Sequence, residues 1–484
     1  MLRLSEKKGS TLQNGLLKAI RNLILMGKIS AGERLPSTRT LATETKVSRE
    51  TVENVYAQLE SEGYVIRKVG SGTYVSTEIN PKLISKSLGK QQTEPKIWQH
   101  SPISLRGNEV LLSGGVRDQN YVRTFIPGIP ELRDFPIDKW QRISKSLLKT
   151  NSEKLLTYGD AQGYAPLMES ISKYVSLKRG VKCNPSQILV LTSSQQALAL
   201  AAMVLLDAGD SIFMEDPGYH GARRAFECQG LKVNPVSVDK EGIVVDEILQ
   251  RPNLSKVCYT TPSHQYPTGV TMSINRRIEL IRWAQKYGGW IIEDDYDSEF
   301  HFEGQAMSAI QGLDNMHRTI YLGTFSKSLF PGIRIGYMVL PETLVRPFTV
   351  ARTLFDGHSS TLNQAILSIF INEGFFASHV RRMKSLYLSR RDAMVYYLSK
   401  ELPEFCSFTL PRGGMQIATY LHEGFTEENT VTAALTQGVE LSALSKLYIS
   451  PNQVHGWLLG YAAYTPNEIE SGMLRLKSIF SKSK

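Results

Sequence analysis

The apolar residues of the first 78 positions recur at helical spacing and then change to a strand pattern. One helix is predicted where apolar side chains return every three or four residues, at Leu12, Leu16, Ile20, Leu23 and Ile24. Ser37 and Ser48 precede two further helical stretches, where a serine can accept hydrogen bonds from the first amides. The apolar face of the last stretch consists of Val52, Val55, Tyr56 and Leu59. Strand-like segments at 64–68 and 73–76 follow, so residues 1–78 predict an α+β unit with a hairpin.

The pattern changes again after this unit. Residues 79–120 show little periodicity, contain Pro81, Pro95 and Pro102, and predict a linker. In residues 121–484 short apolar strands alternate with helices, with strand candidates at 188–191, 211–214, 256–259 and 290–293. This alternation predicts an α/β domain in which helices cover both faces of a mostly parallel sheet. After about residue 348 a long helix and short strands predict a smaller subdomain.

Composition and charge describe a globular chain with a basic amino-terminal end. A length of 484 residues predicts more than one domain. The formal net charge is +10, and residues 1–78 hold 12 basic and 8 acidic side chains, which permits a polyanionic partner there. The four cysteines form no CxxC pair, which argues against a disulfide framework or a metal site. Since the chain shows no signal-peptide run and no apolar stretch of about 18 residues, a cytoplasmic protein without a membrane span is expected.

The segment around Lys327 carries the most distinctive chemistry. Lys327 lies in Thr324-Phe325-Ser326-Lys327, and Arg334 follows seven residues later. A lysine amine can form a Schiff base with an aldehyde, and hydroxyls with a guanidinium can hold a phosphate. An aldehyde cofactor that carries a phosphate fits this combination, which points to pyridoxal 5'-phosphate (PLP).

Further groups that suit PLP follow other predicted strands. Ser193 and Ser194 join a strand to a helix, where amides and hydroxyls can bind a phosphate. Asp294, just past an apolar strand, can keep a pyridine nitrogen protonated, and Tyr296 can donate to the phenolic oxygen. Tyr219 offers an aromatic face for stacking. Ligands of such sheets bind beyond the carboxyl ends of the strands, where these residues are predicted to lie.

Together these segments resemble the aspartate aminotransferase superfamily of fold-type I PLP enzymes. The segments that match in order and approximate spacing are 158–164, 193–196, 267–269, 294–296 and 324–327. The resemblance implies the roles given above, and it implies that Tyr158 reaches the phosphate of a neighbouring subunit. Asp294 is preferred to Asp295 as the pyridinium partner because Asp-x-Tyr matches the superfamily motif, although the other register is open.

Two positions depart from the superfamily pattern. Tyr266 stands before Pro-Thr-Gly, where aminotransferases carry asparagine. His455 aligns with the arginine that binds the substrate carboxylate, and the other candidates for that role are Arg412, Arg352, Arg223 and Arg224. Both departures argue against full transamination and against an α-carboxylate ligand.

The amino-terminal unit resembles the GntR winged helix-turn-helix. The matching segments are 34–42, 47–52, 56–59, 63–65 and 70–75. In such a unit the third helix enters the major groove with Arg49 and Thr51 near its start, and Arg39 reaches a phosphate or a base. Ser71 and Gly72 at the wing tip can approach the minor groove. A helical hairpin used only for protein contacts is the alternative, against which the wing argues.

The two resemblances in one chain match the MocR family of bacterial regulators. This likeness implies a multidomain protein with a winged helix-turn-helix head, a linker, and an aminotransferase-like body that binds PLP. It implies a homodimer, often with swapped domains, that binds double-stranded operator DNA. The signal is either an amino compound or PLP itself, and an active aminotransferase with an attached DNA-binding head is the alternative.

Overall fold

The computed structural model describes residues 12–78, 103–115, 124–304, 307–451 and 453–481, which belong to two compact units. The first unit spans residues 1–102, and its described part is called the head. It contains α1 (Leu12–Leu25), α2 (Thr38–Thr45), α3 (Arg49–Ser61), β1 (Val65–Lys68) and β2 (Gly72–Val75). The two strands pair antiparallel, from Val65 opposite Val75 to Lys68 opposite Gly72. Three helices and a hairpin confirm the α+β unit that the sequence predicts.

The head closes around one apolar core. The predicted inner face of α3 is fully buried against α1, because the apolar positions of both helices repeat at helical spacing. Tyr56 also donates a hydrogen bond of 2.8 Å to the carbonyl of Pro36, which fixes the start of α2. Leu12, the first apolar position of the predicted helix, is 62% exposed and lies at the very start of α1, one turn before the buried Leu16.

The second unit, called the body, spans residues 103–484. Its helices are α4 (Leu105–Leu112), α5 (Ile137–Leu156), α6 (Ala165–Arg179), α7 (Ser194–Leu205), α8 (His220–Glu227), α9 (Val245–Leu249), α10 (Ile274–Tyr287), α11 (Ile310–Leu313), α12 (Phe325–Ser328), α13 (Glu342–Phe355), α14 (Thr361–Asn372), α15 (Phe375–Glu401), α16 (Glu427–Thr436) and α17 (Pro466–Phe480). Its strands are β3 (Ile188–Leu191), β4 (Ser211–Asp216), β5 (Lys232–Asp239), β6 (Gly242–Ile243), β7 (Val257–Thr260), β8 (Trp290–Asp295), β9 (Thr319–Thr324), β10 (Gly336–Val339), β11 (Cys406–Phe408), β12 (Gln416–Leu421), β13 (Ser442–Ala443) and β14 (Gly456–Gly460).

Eight of these strands form the main sheet in the order β3-β10-β9-β8-β7-β4-β5-β6. Strands β5, β4, β7, β8 and β9 run parallel, whereas β10 is antiparallel to both of its neighbours and β6 is antiparallel to β5. Successive side chains of one strand pack into different apolar clusters, as Ile188 and Leu189 do, because helices cover both faces. The mostly parallel, doubly covered sheet is confirmed.

A smaller four-stranded sheet follows, in the order β11-β12-β14-β13, and all its pairs are antiparallel. The long helix α15 and the final helix α17 pack against it around Trp457 and Leu459. Phe125, far away in sequence, is fully buried in the same core. None of the helices in the described ranges combines the length and apolar character that a membrane crossing requires.

Candidate cofactor site and DNA-binding surface

The register of β10 brings two phosphate-binding candidates together. Gly336, the first residue of β10, pairs with Leu191 on one side and with Thr324 on the other. Both flanking strands therefore end at this point, so the turn that carries Ser193 and the turn that carries Ser326 lie at the same edge of the sheet. A Cβ built on Gly336 would lie 3.2 Å from the Gly323 carbonyl and 3.5 Å from the Ser193 backbone, which shows how closely these segments pack.

Hydroxyl residues begin both helices at this edge. Ser193 caps α7 by accepting a hydrogen bond of 3.3 Å from the amide of Gln196, and Ser194 is the first helical residue. Thr324 caps α12 in the same way, at 3.2 Å from the amide of Ser326. Helix amino termini attract anions because their first amides point outward without intrahelical partners.

Arg334 precedes β10 by two residues and supplies positive charge at the same edge. Its backbone lies in the left-handed region, with a φ of 53°, and its side chain is exposed. Arg334, the arginine predicted to bind the phosphate, thus follows Lys327 in the chain and lies two residues before Gly336, where the three strands meet. Thr324, Ser326, Ser193, Ser194 and Arg334 all belong to segments that meet at the start of β10.

Asp294 is a buried carboxyl with an unsatisfied oxygen. It is only 4% exposed, and its Oδ2 accepts a hydrogen bond of 2.8 Å from the Tyr259 hydroxyl. Its Oδ1 accepts none within the described part of the chain. Burial, followed by the charges of Asp295, Glu215 and Asp297, raises the pKa of Asp294 to about 7, against the opposing hydrogen bond from Tyr259. A cationic partner at Oδ1 would satisfy the oxygen and restore the ionised form.

Asp295 also has an Oδ1 that accepts no hydrogen bond among the described residues, but its other oxygen is held by a different network. Its Oδ2 accepts hydrogen bonds from Arg179 at 2.7 Å, Tyr321 at 2.6 Å and Ser298 at 2.9 Å. Burial opposes the ionisation of this carboxyl, but Arg179 and the hydroxyls together hold the pKa of Asp295 below its usual value. Neighbouring residues of a strand face opposite sides of the sheet, which explains the two environments. The geometry therefore favours Asp294 over Asp295 as the partner of a pyridinium nitrogen, a choice that the sequence left open.

Three tyrosine rings form a row, and the last of them, Tyr296, feels the charge of Asp294. The Tyr219 and Tyr266 rings meet edge to face at 5.4 Å, and the Tyr266 and Tyr296 rings do so at 6.2 Å. The Tyr219 hydroxyl accepts a hydrogen bond of 3.2 Å from Gln195, at the start of α7. Burial raises the pKa of Tyr296 well above the usual value, so its hydroxyl remains protonated and can donate. Tyr266, a departure from the superfamily in sequence, is the central ring of this row.

Lys327 lies on α12 and meets a residue that the sequence reasoning missed. Its Nζ donates a hydrogen bond of 2.7 Å to the carbonyl of Gly128. The sequence Pro127-Gly128-Ile129-Pro130 is a turn signal, and this signal could have identified the segment, although not its contact with the lysine.

Tyr158 does not join the other candidates within one chain. Its side chain is 93% exposed, and its ring meets the ring of His358 edge to face at 5.9 Å. Its predicted role across a subunit boundary is compatible with this position.

The five residues that could bind the carboxylate of a ligand differ in burial and in their partners. Arg352 is fully buried, and its guanidinium donates to Gln196 at 2.7 Å and to Ser359 at 3.0 Å, so it supports the α7 turn. Arg223 donates to Glu227 at 2.8 Å. His455, the residue that aligns with the carboxylate arginine, has a side chain that is 61% exposed and lies 3.6 Å from Glu427. Arg224 is half-buried and Arg412 is exposed.

In the head, two serines set the start of the helices that the DNA prediction uses. Ser37 accepts a hydrogen bond of 3.1 Å from the amide of Thr40, and Ser48 accepts one of 3.0 Å from the amide of Thr51. These caps place Arg39 in the first turn of α2 and Arg49 at the first position of α3. Thr51 is held in the second cap, because its hydroxyl also lies 2.8 Å from that of Ser48.

The arginines of the head fall into two groups. Arg67 is bound to Glu53 at 2.6 Å, and Arg21 is bound to Glu62 at 2.6 Å. Arg39 and Arg49 are exposed, and neither forms an ion pair with a carboxylate among the residues described in the head. Uncompensated guanidinium groups at the start of adjacent helices suit phosphates and guanine edges.

The tip of the hairpin has a compact, polar structure. Gly70 and Gly72 have φ values of 73° and 119°, which glycine adopts without strain. Between them Ser71 is exposed, and its hydroxyl lies 2.8 Å from that of Tyr74. The Lys68 ammonium lies 5.2 Å from the centre of the Tyr74 ring. The predicted wing residues Ser71 and Gly72 thus form a narrow tip with positive charge nearby.

Comparison with protein families assigns both units. The family "Bacterial regulatory proteins, gntR family" matches residues 12–75, and "Aminotransferase class I and II" matches residues 131–476. A probable rhizopine catabolism regulatory protein of Rhizobium meliloti is 35% identical, covering 99% of this chain and 96% of its own. A pyridoxine biosynthesis transcriptional regulator of Corynebacterium glutamicum is 26% identical, covering 95% of this chain and 94% of its own.

Solved structures match the body. An α-aminoadipate aminotransferase of Thermus thermophilus, in complex with N-(5'-phosphopyridoxyl)-L-leucine, superposes with a TM-score of 0.70. It is 26% identical, and the match covers 83% of this chain and 98% of the enzyme. A multiple substrate aminotransferase of Thermococcus profundus is 28% identical, with a TM-score of 0.70 and coverage of 78% and 95%. The fold relatives of the body are thus PLP enzymes.

Proposed function

Because the chain belongs to the MocR family, in which a GntR-type head is fused to an aminotransferase-like body, we propose that it is a PLP-dependent, DNA-binding transcription regulator. The observation that carries the proposal is the full-length match to a regulatory protein, which includes head and body together over 99% of the chain. The head supplies DNA binding, and the body supplies a site for the cofactor.

The residues of the body fit PLP in three respects. The unsatisfied Asp294 oxygen suits a protonated ring nitrogen, which would offset the cost of burying that carboxyl. The helix starts at Ser193 and Thr324, with Arg334 nearby, suit its phosphate. The Lys327 amine suits its aldehyde. When bound, PLP supplies a carbonyl group that reacts reversibly with primary amines, and a ring that withdraws electrons.

Each residue of the chain then has a separate task. With PLP bound, Asp294 would hold a proton at the ring nitrogen, and Tyr296 would donate a hydrogen bond to the phenolic oxygen. The serine and threonine hydroxyls and Arg334 would hold the phosphate, while Tyr219 would pack on the ring. The buried position of Asp294 limits the access of water to its charge, which strengthens its attraction for a cationic ring. Lys327 is the covalent attachment point.

The signal is a second small molecule or the cofactor itself. A primary amine could compete with Lys327 for the bound aldehyde, which would make the chain a sensor of amino compounds. Alternatively, PLP occupancy is itself the signal. Similar proteins are named for rhizopine catabolism and for pyridoxine biosynthesis, and these names are compatible with either kind of signal. In either case the ligand must bind two states of the regulator with different affinity.

A homodimer completes the proposal. The exposed ring of Tyr158 would reach the cofactor phosphate of a partner subunit, as the aminotransferase likeness implies. Two heads would then bind two half-sites of a double-stranded operator, since the symmetry of a dimer is matched by a palindromic site. Exchange of heads between subunits is compatible with a long connecting segment.

A titration with operator DNA tests the proposed function. DNA affinity and visible absorption of the full-length protein are recorded together without cofactor, with saturating PLP, and after an amine library is added to the PLP-saturated protein. A regulator changes its DNA affinity by about 5- to 150-fold when PLP or an amine binds, the usual range of coupling between two sites. Sustained production of a keto acid, with DNA affinity unchanged by either ligand, would support the aminotransferase alternative and contradict the proposal.

Arg49→Ala is expected to weaken operator binding by about 1–3 kcal/mol, because the guanidinium begins the helix proposed to enter the major groove. The measurement is a fluorescence anisotropy titration with labelled operator. Lys18→Ala, which removes an exposed cation from α1, is the matched control and should change the affinity much less. Equal affinities of Arg49→Ala and the unmodified chain would exclude Arg49 from the interface.

A further inference from the structure

A segment of the body, residues 124–133, crosses from the small sheet to the cofactor lysine, and we call it the strap. Its first end is bound to the small sheet: Gly460 donates a hydrogen bond of 2.8 Å to the carbonyl of Phe125. The amide of Ile126 also donates to the Tyr464 hydroxyl at 3.0 Å. Phe125 is completely buried in the core around α17, so this end is firmly held.

The other end of the strap is held by charge. Glu131 is 2% exposed, and its Oε2 accepts a hydrogen bond of 2.6 Å from Arg390 on α15, which is itself buried. Arg133 binds both Glu131 at 2.8 Å and Glu468 at 3.1 Å. Burial opposes the ionisation of Glu131, but the hydrogen bonds from Arg133 and Arg390 prevail and lower its pKa to about 2. The ion pairs that hold this end therefore persist at neutral pH.

Between its anchored ends the strap touches Lys327. The Gly128 carbonyl accepts the 2.7 Å hydrogen bond from the lysine Nζ. A side chain at Gly128 is not compatible with this contact, because a Cβ there would lie 2.7 Å from Nζ. The backbone at Gly128 also has a φ of 70°, which disfavours other residues. The lysine amine thus joins the middle of the strap to α12, the helix that directly follows β9 of the main sheet.

Capture of an aldehyde changes what this amine can donate. When a primary amine condenses with an aldehyde, a C=N bond forms, and the aldehyde oxygen leaves as water with two hydrogens from the amine. A protonated Schiff base would retain a single N–H, and the phenolic oxygen of a bound PLP would compete with the Gly128 carbonyl for it. The Gly128 carbonyl would then lose the donor that it has in this structure. Because an unsatisfied carbonyl is unfavourable, the strap is expected to move so that this oxygen finds another donor.

We propose that the Gly128 carbonyl is a latch for the Lys327 amine, closed on the primary amine and open when that amine has captured an aldehyde. The inference rests on the proposed function, because it requires PLP at Lys327. The strap is a positioning element, and it contacts the reacting nitrogen only through a backbone carbonyl. Its first residue lies four positions after the predicted linker, residues 79–120, in the sequence. The chemical state of one nitrogen would thus be transmitted to the strap.

Hydrogen exchange in the full-length chain tests the latch. Peptides that cover residues 124–133 are compared without cofactor, with PLP, and with pyridoxine 5'-phosphate, which carries an alcohol in place of the aldehyde. The strap amides are expected to exchange roughly tenfold faster with PLP, as for the loss of one hydrogen bond to a charged group. Saturating pyridoxine 5'-phosphate, with binding verified by ring fluorescence, should leave the slow exchange unchanged. Equal acceleration by the alcohol would overturn the proposal.

Lys327→Met provides a second, independent readout. Methionine has similar length but has no hydrogen to donate, so the strap of this variant should exchange fast in every condition. Slow exchange in the variant would contradict the latch. Failure of the proposed function can be distinguished from failure of the latch, because in the first case the unmodified chain would form no Schiff base with PLP. A Schiff base at Lys327 with unchanged strap exchange would refute the latch alone.

Discussion

Lys327→Ala is expected to abolish the visible absorption that PLP acquires on forming a Schiff base with the protein, while the fold persists. The lysine is the covalent attachment point in the proposal, and alanine offers no amine. The side chain is half-buried on a short helix, so its truncation removes little packing and the thermal unfolding midpoint should remain close to that of the unmodified chain.

The control for this experiment is Lys149→Ala, an exposed lysine on α5. It should retain the full absorption, because Lys149 is outside the proposed cofactor site. A loss of absorption in this control would reveal nonspecific Schiff bases with surface amines. A Lys327→Ala protein that still shows the absorption at the strength of the unmodified chain would assign the attachment to another residue.

Asp294→Asn and Asp295→Asn are expected to differ sharply, although the residues are adjacent. Asp294→Asn removes a charge whose burial is unfavourable without a cationic partner, so stability should change little. PLP affinity should fall by about 1.5–3 kcal/mol, the contribution of a hydrogen bond to a charged group. Asp295→Asn leaves Arg179 buried without its counter-charge and should lower the free energy of unfolding by about 3–5 kcal/mol.

Urea denaturation and PLP titration of both variants measure the two effects separately. The matched substitution keeps the shape of each side chain, so the two variants differ only in where the charge is removed. The pyridinium partner would be Asp295 if Asp295→Asn lowered PLP affinity but not stability, while Asp294→Asn lowered stability but not PLP affinity.

The sequence predicted the elements that depend on local pattern. Apolar spacing and serine caps located α2 and α3, because a cap and the face of a helix are both set within a few residues. Alternating strands and helices predicted the main sheet, since a parallel sheet covered on both sides needs continuous apolar strands. The site candidates could be placed at one edge because the ends of parallel strands meet there.

The features that escaped sequence reasoning depend on long-range contacts. The contact between Gly128 and Lys327 joins residues 199 positions apart, and nothing in either local segment specifies the partner. The separate environments of Asp294 and Asp295 became visible only with Arg179 and Tyr259 in place. Tyr266 was noted only as a departure in sequence, and its place between two other tyrosine rings required the fold.

Locating the covalent bond tests the attachment of PLP to Lys327 most directly. Full-length protein is incubated with PLP, reduced with borohydride, digested and analysed by mass spectrometry. One stoichiometric phosphopyridoxyl adduct is expected, on the peptide that contains Lys327. A modified lysine elsewhere, or an unmodified Lys327 peptide from protein saturated with PLP, would contradict it.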